Sequence, residues 1–256
     1  MRSKHVTTAV ALVLAAAATV AATREAPSTS FSCATVMGSE VCTWVTMNGS
    51  TAEEIGASIP MALIEAVPED AEMVWPPQEL AVVPLPEAAQ MVLGIDHLGI
   101  NWEAHGHPPA TFMVQHFDFH FYNLTQADVR AIDCSDNSKP AELPAGYALP
   151  DIDIPGMGVL VGLCVPRMGM HAMPERETEA TDPFAASMML GYYASRPVFF
   201  EPMVSRERLL QKSDFSLPMP HVADLPEGVR YPSEFRAVYD AEKAEYRLIF
   251  TGFRAG

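Results

Sequence analysis

The sequence predicts a mainly β fold, a sandwich or barrel-like single domain with a few peripheral helices. Three observations predict it. Short apolar runs, rich in aromatic and β-branched residues, recur along the chain, and 22 prolines spread through it punctuate them. The segment His116-Phe-Asp-Phe-His-Phe-Tyr122 alternates polar and aromatic residues with the period of a strand. No glycine-rich phosphate loop follows any of the expected strands.

In chain order, Arg2, Lys4 and His5 precede an apolar, alanine-rich stretch from Val6 to Val20, and Val20-Ala21-Ala22 offers small residues for a signal peptidase. Residues 1–22 are therefore expected to be a signal peptide, with 23–256 as one domain. The stretch is short for a membrane span, which leaves an uncleaved anchor as the alternative. Phe31 to Met47 reads as a hairpin, with Asn48-Gly49 closing it. Thr51 to Ala66 reads as an N-capped helix interrupted by Pro60. Glu79 to Pro86 reads as a strand, and Ala88 to Trp102 as one or two more. Thr111 to Tyr122 is the central strand. Thr125 opens a short helix, its hydroxyl capping the first turn. Residues 140–166 are loop-rich. Pro183 to Glu201 and Ala237 to Phe253 add strands, and Ser205 to Lys212 a helix.

The four cysteines suit an oxidising compartment. A two-residue turn at Met37-Gly38 would set Cys33 opposite Cys42. Cys134 with Cys164 follows by elimination. Acidic residues number 32 against 16 basic, a net charge of −16, which argues against nucleic acid and anionic membrane surfaces as partners. Export, with no stable membrane insertion after cleavage, is the expected fate. A small-molecule ligand and a homo-oligomer both stay open.

Five of the eight histidines gather at His105-Gly-His107, at His116 and His120, and at His171 within Met168-Gly-Met-His. On a strand, His116, Asp118 and His120 share one face while Phe117, Phe119 and Phe121 bury the other. Imidazoles and a carboxylate projecting together suit a divalent transition metal, zinc first and iron(II) or manganese second. A metal-free polar cleft and purely structural histidines are the alternatives. Strand spacing puts residues four apart about 13 Å from each other, too far to share an ion bound at about 2 Å, unless a bulge at Asp118 intervenes. His105 with His107 is the expected chelating pair. Asp118 and Glu201 are the candidate catalytic carboxylates, to orient water or act as general base, and Glu175 reads as a solvated loop residue. Met168, Met170 and Met173 around His171 admit a competing copper-binding reading.

The set Trp102-Glu-Ala-His-Gly-His-Pro-Pro, His116-Phe-Asp-Phe-His-Phe-Tyr122, Met168-Gly-Met-His171 and Phe200-Glu-Pro-Met203 resembles a family of exported bacterial proteins. The member that gives that family its name is controlled by an extracytoplasmic stress sigma factor. The resemblance covers most of the chain after the leader and implies export, a β-rich fold and a histidine-lined site, but no settled reaction. Family members often carry an aromatic residue after the third-motif histidine, where this chain has Ala172. Two function classes therefore stand: a metal-dependent hydrolase, or a non-catalytic metal-binding or oligomeric envelope-stress protein.

Overall fold

The computed structural model describes residues 26–256 apart from 73, 155 and 157; the expected signal peptide lies outside these residues. Two antiparallel sheets carry the fold, which is mainly β. The first has six strands: β1 (Ser28–Val36), β2 (Ser39–Asn48), β3 (Thr51–Pro60), β13 (Phe215–Pro218), β14 (Glu234–Asp240) and β15 (Glu245–Thr251), in the order β1-β2-β3-β15-β14-β13. The second has seven: β4 (Ala81–Pro84), β5 (His97–Glu103), β6 (His116–Tyr122), β7 (Tyr147–Ala148), β10 (Met170–Pro174), β11 (Ala186–Tyr193) and β12 (Arg196–Ser205), ordered β4-β5-β6-β12-β11-β10-β7. A hairpin of β8 (Ile152–Ile154) and β9 (Gly158–Leu160) stands apart. The helices are short: α1 (Met61–Ala66), α2 (Glu87–Leu93), α3 (Gln126–Ala131) and α4 (Arg206–Leu210).

The sheets pack face to face as a sandwich. Val45, Ile55, Leu248 and Phe250 of the first meet Leu98, Ile100, Phe119 and Phe200 of the second in one buried cluster. Phe250 touches the rings of both Phe121 and Phe200, at 4.8 and 4.9 Å between centroids. The Phe117, Phe119 and Phe121 face of β6 is therefore core, as its alternation requires. Its other face looks away from the sandwich. A roof from the 110–184 stretch covers it, with Phe112 and Leu163 packed on Met173, Met189 and Met203.

Two expectations about elements are corrected. Thr51–Pro60 is a strand, and only Met61–Ala66 is helical. Gly49-Ser50 is a two-residue turn that returns the chain along β2, and β15 takes the other edge of β3. Gly56 lies beneath the Trp44 ring and the Leu248 carbonyl, where a Cβ would come within 2.3 Å of both. Pairing on both edges outweighs the local capping signals of Thr51 and the acids after it. The first half of Ala88–Trp102 is the helix α2, ended by Gly94 in the left-handed conformation; the strand begins only at His97. Thr125 caps α3 as expected, its hydroxyl accepting from the Asp128 N–H. Both disulfides are present, Cys33–Cys42 and Cys134–Cys164. The first joins residues directly opposite across the β1–β2 turn at Met37-Gly38.

Candidate metal centre

The outward face of the seven-stranded sheet is built row by row. In register, Glu103 faces His116, Asn101 faces Asp118, and Gly99 faces His120. On the other side of β6, Met203 faces Asp118 and Phe200 faces Phe121, which brings Glu201 across from His120. His171 reaches the same surface from β10, opposite Gly191. Gly191 matters here: a Cβ there would fall within 2.4 Å of the Phe199 ring. Its absence lets that ring lie across β11 and touch His171 at 5.2 Å.

The side chains gather into two groups of three. His107, His116 and Asp118 form one, and His120, His171 and Glu201 the other, with the candidate ligand atoms of each group within 4.8 Å of one another. His116 and His120 are thus in separate groups, as strand spacing demands, and the unbroken β5–β6 register leaves no bulge at Asp118 to join them. His105 belongs to neither group, so its expected chelation with His107 is corrected. It is exposed, and its Nε2–H donates to the Ala71 carbonyl at 3.0 Å. The intervening Gly106 has φ +67°, and a Cβ there would collide with the Phe112 carbonyl. That left-handed residue sends His105 outward and His107 inward.

Backbone carbonyls set the imidazole tautomers. His107, His116 and His171 present Nδ1 to the carbonyls of Pro108, Val114 and Leu163 at 2.8, 2.7 and 3.1 Å. A carbonyl only accepts, so Nδ1 carries hydrogen in each ring and Nε2 points into the site. This is the orienting arrangement found behind metal-binding histidines. His116 Nε2 lies 3.2 Å from His107 Nε2 and 3.3 Å from Asp118 Oδ1. Donor atoms bound to one ion at about 2.0–2.1 Å stand about 3.3 Å apart, so His116 is spaced from both neighbours as co-ligands of an ion are. In the second group His120 Nε2 stands 3.6 Å from Glu201 Oε1. Both nitrogens of His120, Asp118 Oδ1, Glu201 Oε2 and both side-chain polar atoms of Asn101 are buried without a hydrogen-bond partner. Orphaned buried polar atoms cost about 1–3 kcal/mol each, and a cation would satisfy several at once.

Electrostatics follow from burial and proximity. Burial pushes His107 down to about 4, with His116 adding to the effect, and His120 down to about 3. Burial also lowers His171. Burial works against charge on His116 too, but the adjacent Asp118 carboxylate outweighs it and raises the imidazole. Burial would raise Asp118; His116 beside it instead holds that carboxyl at about 2. Glu103 is pushed up to about 8 by burial and then by Asp118. Glu201 is raised well above the carboxylate range by burial, then by Asp118 and Glu103.

A cleft of about 390 Å³ opens over this surface. His107, Asp118, Glu103, His171 and Glu201 supply its polar lining, and residues such as Trp75, Met113 and Leu160 its apolar walls. Glu103 and Asn101 escaped the sequence reading. The signal that could have found them is the same alternation that exposed β6: His97, Asn101 and Glu103 interleave with Leu98, Ile100 and Trp102. Glu175 is exposed, in a short turn after β10. Met170 packs in the sandwich core and Met173 beneath the roof. Ala172, where the resembled family often has an aromatic, faces Leu190 inside the sandwich and does not wall the site. The chain therefore holds buried His/Asp/Glu groups able to bind a metal. No protein-family model matches it, and comparison with curated proteins and with solved structures found no significant match.

Proposed function

We propose that the chain is an exported metalloprotein that uses a divalent transition metal, zinc by preference, for hydrolysis of a small organic substrate. The observation that carries this reading is the set of three Nδ1–H bonds to backbone carbonyls, which leaves Nε2 lone pairs converging on buried carboxylates. In the catalytic group His107, His116 and Asp118 would hold the ion beside the cleft. A divalent ion bound there would supply Lewis-acid activation of water toward an ester, amide or phosphoester. Glu103 lines the cleft, in register with His116; it is the acid placed to protonate a leaving group. Asp118, expected to orient water or act as general base, is here a ligand, and Glu201 groups with His120 and His171. The two disulfides fit an oxidising compartment, and among the described residues no helix is long and apolar enough to cross a membrane. Export through residues 1–22 and membership of the resembled bacterial family are part of the proposal.

The test is turnover. Zinc-loaded protein should hydrolyse members of a nitrophenyl ester and phosphoester panel, and chelator should abolish the rate. Glu103→Gln should lower kcat by about 10²-fold or more. A second reading, a non-catalytic metal-binding protein, is favoured by one observation: His120, His171 and Glu201 are all buried, as the ligands of a structural ion are. Zinc-loaded protein that turns over nothing on the panel decides for that reading.

A further inference from the structure

Resting on the metalloprotein reading, we propose that the cleft binds two separate transition-metal ions with unequal roles. A structural ion belongs to His120, His171 and Glu201, and an exchangeable ion to His107, His116 and Asp118. The groups share no residue. Their anchors, His116 and His120, lie on one face of an unbroken strand, so their Cα atoms are about 13 Å apart, with Asp118 about 7 Å from each. That spacing excludes one shared ion. The two groups also lack the shared carboxylate that a bridged catalytic pair uses. The ions act independently, and only one needs access to substrate.

The surroundings say which is which. His120 stacks on Tyr122 at 5.4 Å and takes the edge of Phe199 at 4.8 Å. His171 packs on the same Phe199 ring. The aromatic cage holds both imidazoles in place, and all three ligands of this group are buried. Both His120 nitrogens and Glu201 Oε2 have no hydrogen-bond partner. His171 turns Nε2 into this space because its Nδ1–H is bound to the Leu163 carbonyl, and a cation would take up the unpartnered His120 nitrogen and Glu201 oxygen beside it together. Both groups reach the cleft, through His171 and Glu201 in one and His107 and Asp118 in the other, but only the second has a half-buried ligand on a loop, His107 after β5. Loop motion alone can release an ion there, whereas His120, His171 and Glu201 all sit on strands.

The experiment is zinc stoichiometry and release. Chelator-stripped protein refilled with zinc should hold two equivalents. Transfer to a chromogenic chelator should be biphasic, with one equivalent released at least about tenfold faster than the other. His107→Ala should abolish the fast equivalent and keep the slow one, and Glu201→Gln should do the reverse. Circular dichroism checks that the buried Glu201→Gln variant folds; if it does not, His107→Ala still decides the matter. A single equivalent, or loss of all zinc from His107→Ala, overturns the two-ion arrangement and leaves the metalloprotein reading standing. A refilled protein with no bound zinc overturns both.

Discussion

At His116, the Nε2 position is contested by His107 and Asp118 while the Nδ1–H is spoken for by Val114. The Asp118 carboxylate 3.3 Å away favours a proton on that nitrogen; a divalent ion would displace it. The neighbours behave oppositely. Burial holds His107 near 4 and His120 near 3, below the ordinary 6.5, so the unfolded chain takes up protons that the folded chain refuses. Their contribution to stability is complete above about pH 6.5 and lost as pH falls through the folded values. Imidazole NMR of metal-free protein followed from about pH 7.5 to 4 should find His107 and His120 still neutral well below pH 6.5; protonated rings there would contradict neutral, buried imidazoles at these positions. On β6, substitutions should separate by face. Phe119→Ala removes a ring from the sandwich core and should cost about 3–5 kcal/mol. His120→Ala should lose metal while the protein stays compact. Denaturation and elemental analysis of both variants check this, and the opposite pattern would reverse the two faces.

Elements carry the site through registers and ties that no single residue reveals. Gly191 on β11 makes room for Phe199 of β12, which in turn packs against His171 of β10. Gly191→Ala should push the ring off that row, costing about 1–3 kcal/mol by overpacking and lowering metal content, although position 191 touches no ligand atom of its own. Unchanged metal content in a folded Gly191→Ala protein would show that the row does not hold the ligands. The disulfides differ in reach. Cys33–Cys42 spans 9 residues within one hairpin, whereas Cys134–Cys164 spans 30 and ties the end of α3 to the roof beside Leu163, whose carbonyl orients His171. Chain-entropy arguments give roughly 2.5 kcal/mol for the first and about 3.5 kcal/mol for the second. Replacing the longer bridge with serines should destabilise more and should also weaken metal retention; equal effects on both would remove the roof from the site's support.

For the molecule as a whole, the sandwich core and the site are opposite faces of one sheet, so a metal held there would be thermodynamically coupled to the fold. A ligand that binds only the folded state raises stability by mass action, several kcal/mol when it is bound tightly. Chelation should therefore lower Tm, and re-addition of zinc should restore it; a Tm indifferent to both would mean the groups do not bind metal. Intact mass of the exported protein, with and without reductant, should show a chain starting near Thr23 and no free thiol, and two reactive thiols in the unreduced protein would contradict the paired cysteines.

Sequence alone determined what local periodicity and covalent reach control. Alternation in His116–Tyr122 implied a strand with a phenylalanine face and a polar face, and strand spacing kept His116 and His120 from one ion. The symmetry of Cys33 and Cys42 about Met37-Gly38 implied their pairing. Only tertiary structure decided which distant groups met them. Strand order, not sequence distance, placed Glu201 opposite His120 and brought His171 beside it, because β12 and β10 lie in the same sheet as β6. The fate of Thr51–Pro60 turned on two partner strands, β2 and β15, the latter nearly two hundred residues away, whose ladders outweigh a local helix cap. His105 left the site for a similar reason. Its two-residue spacing from His107 had meaning only on a strand, and the left-handed Gly106, packed against the Phe112 carbonyl, turns the chain there instead.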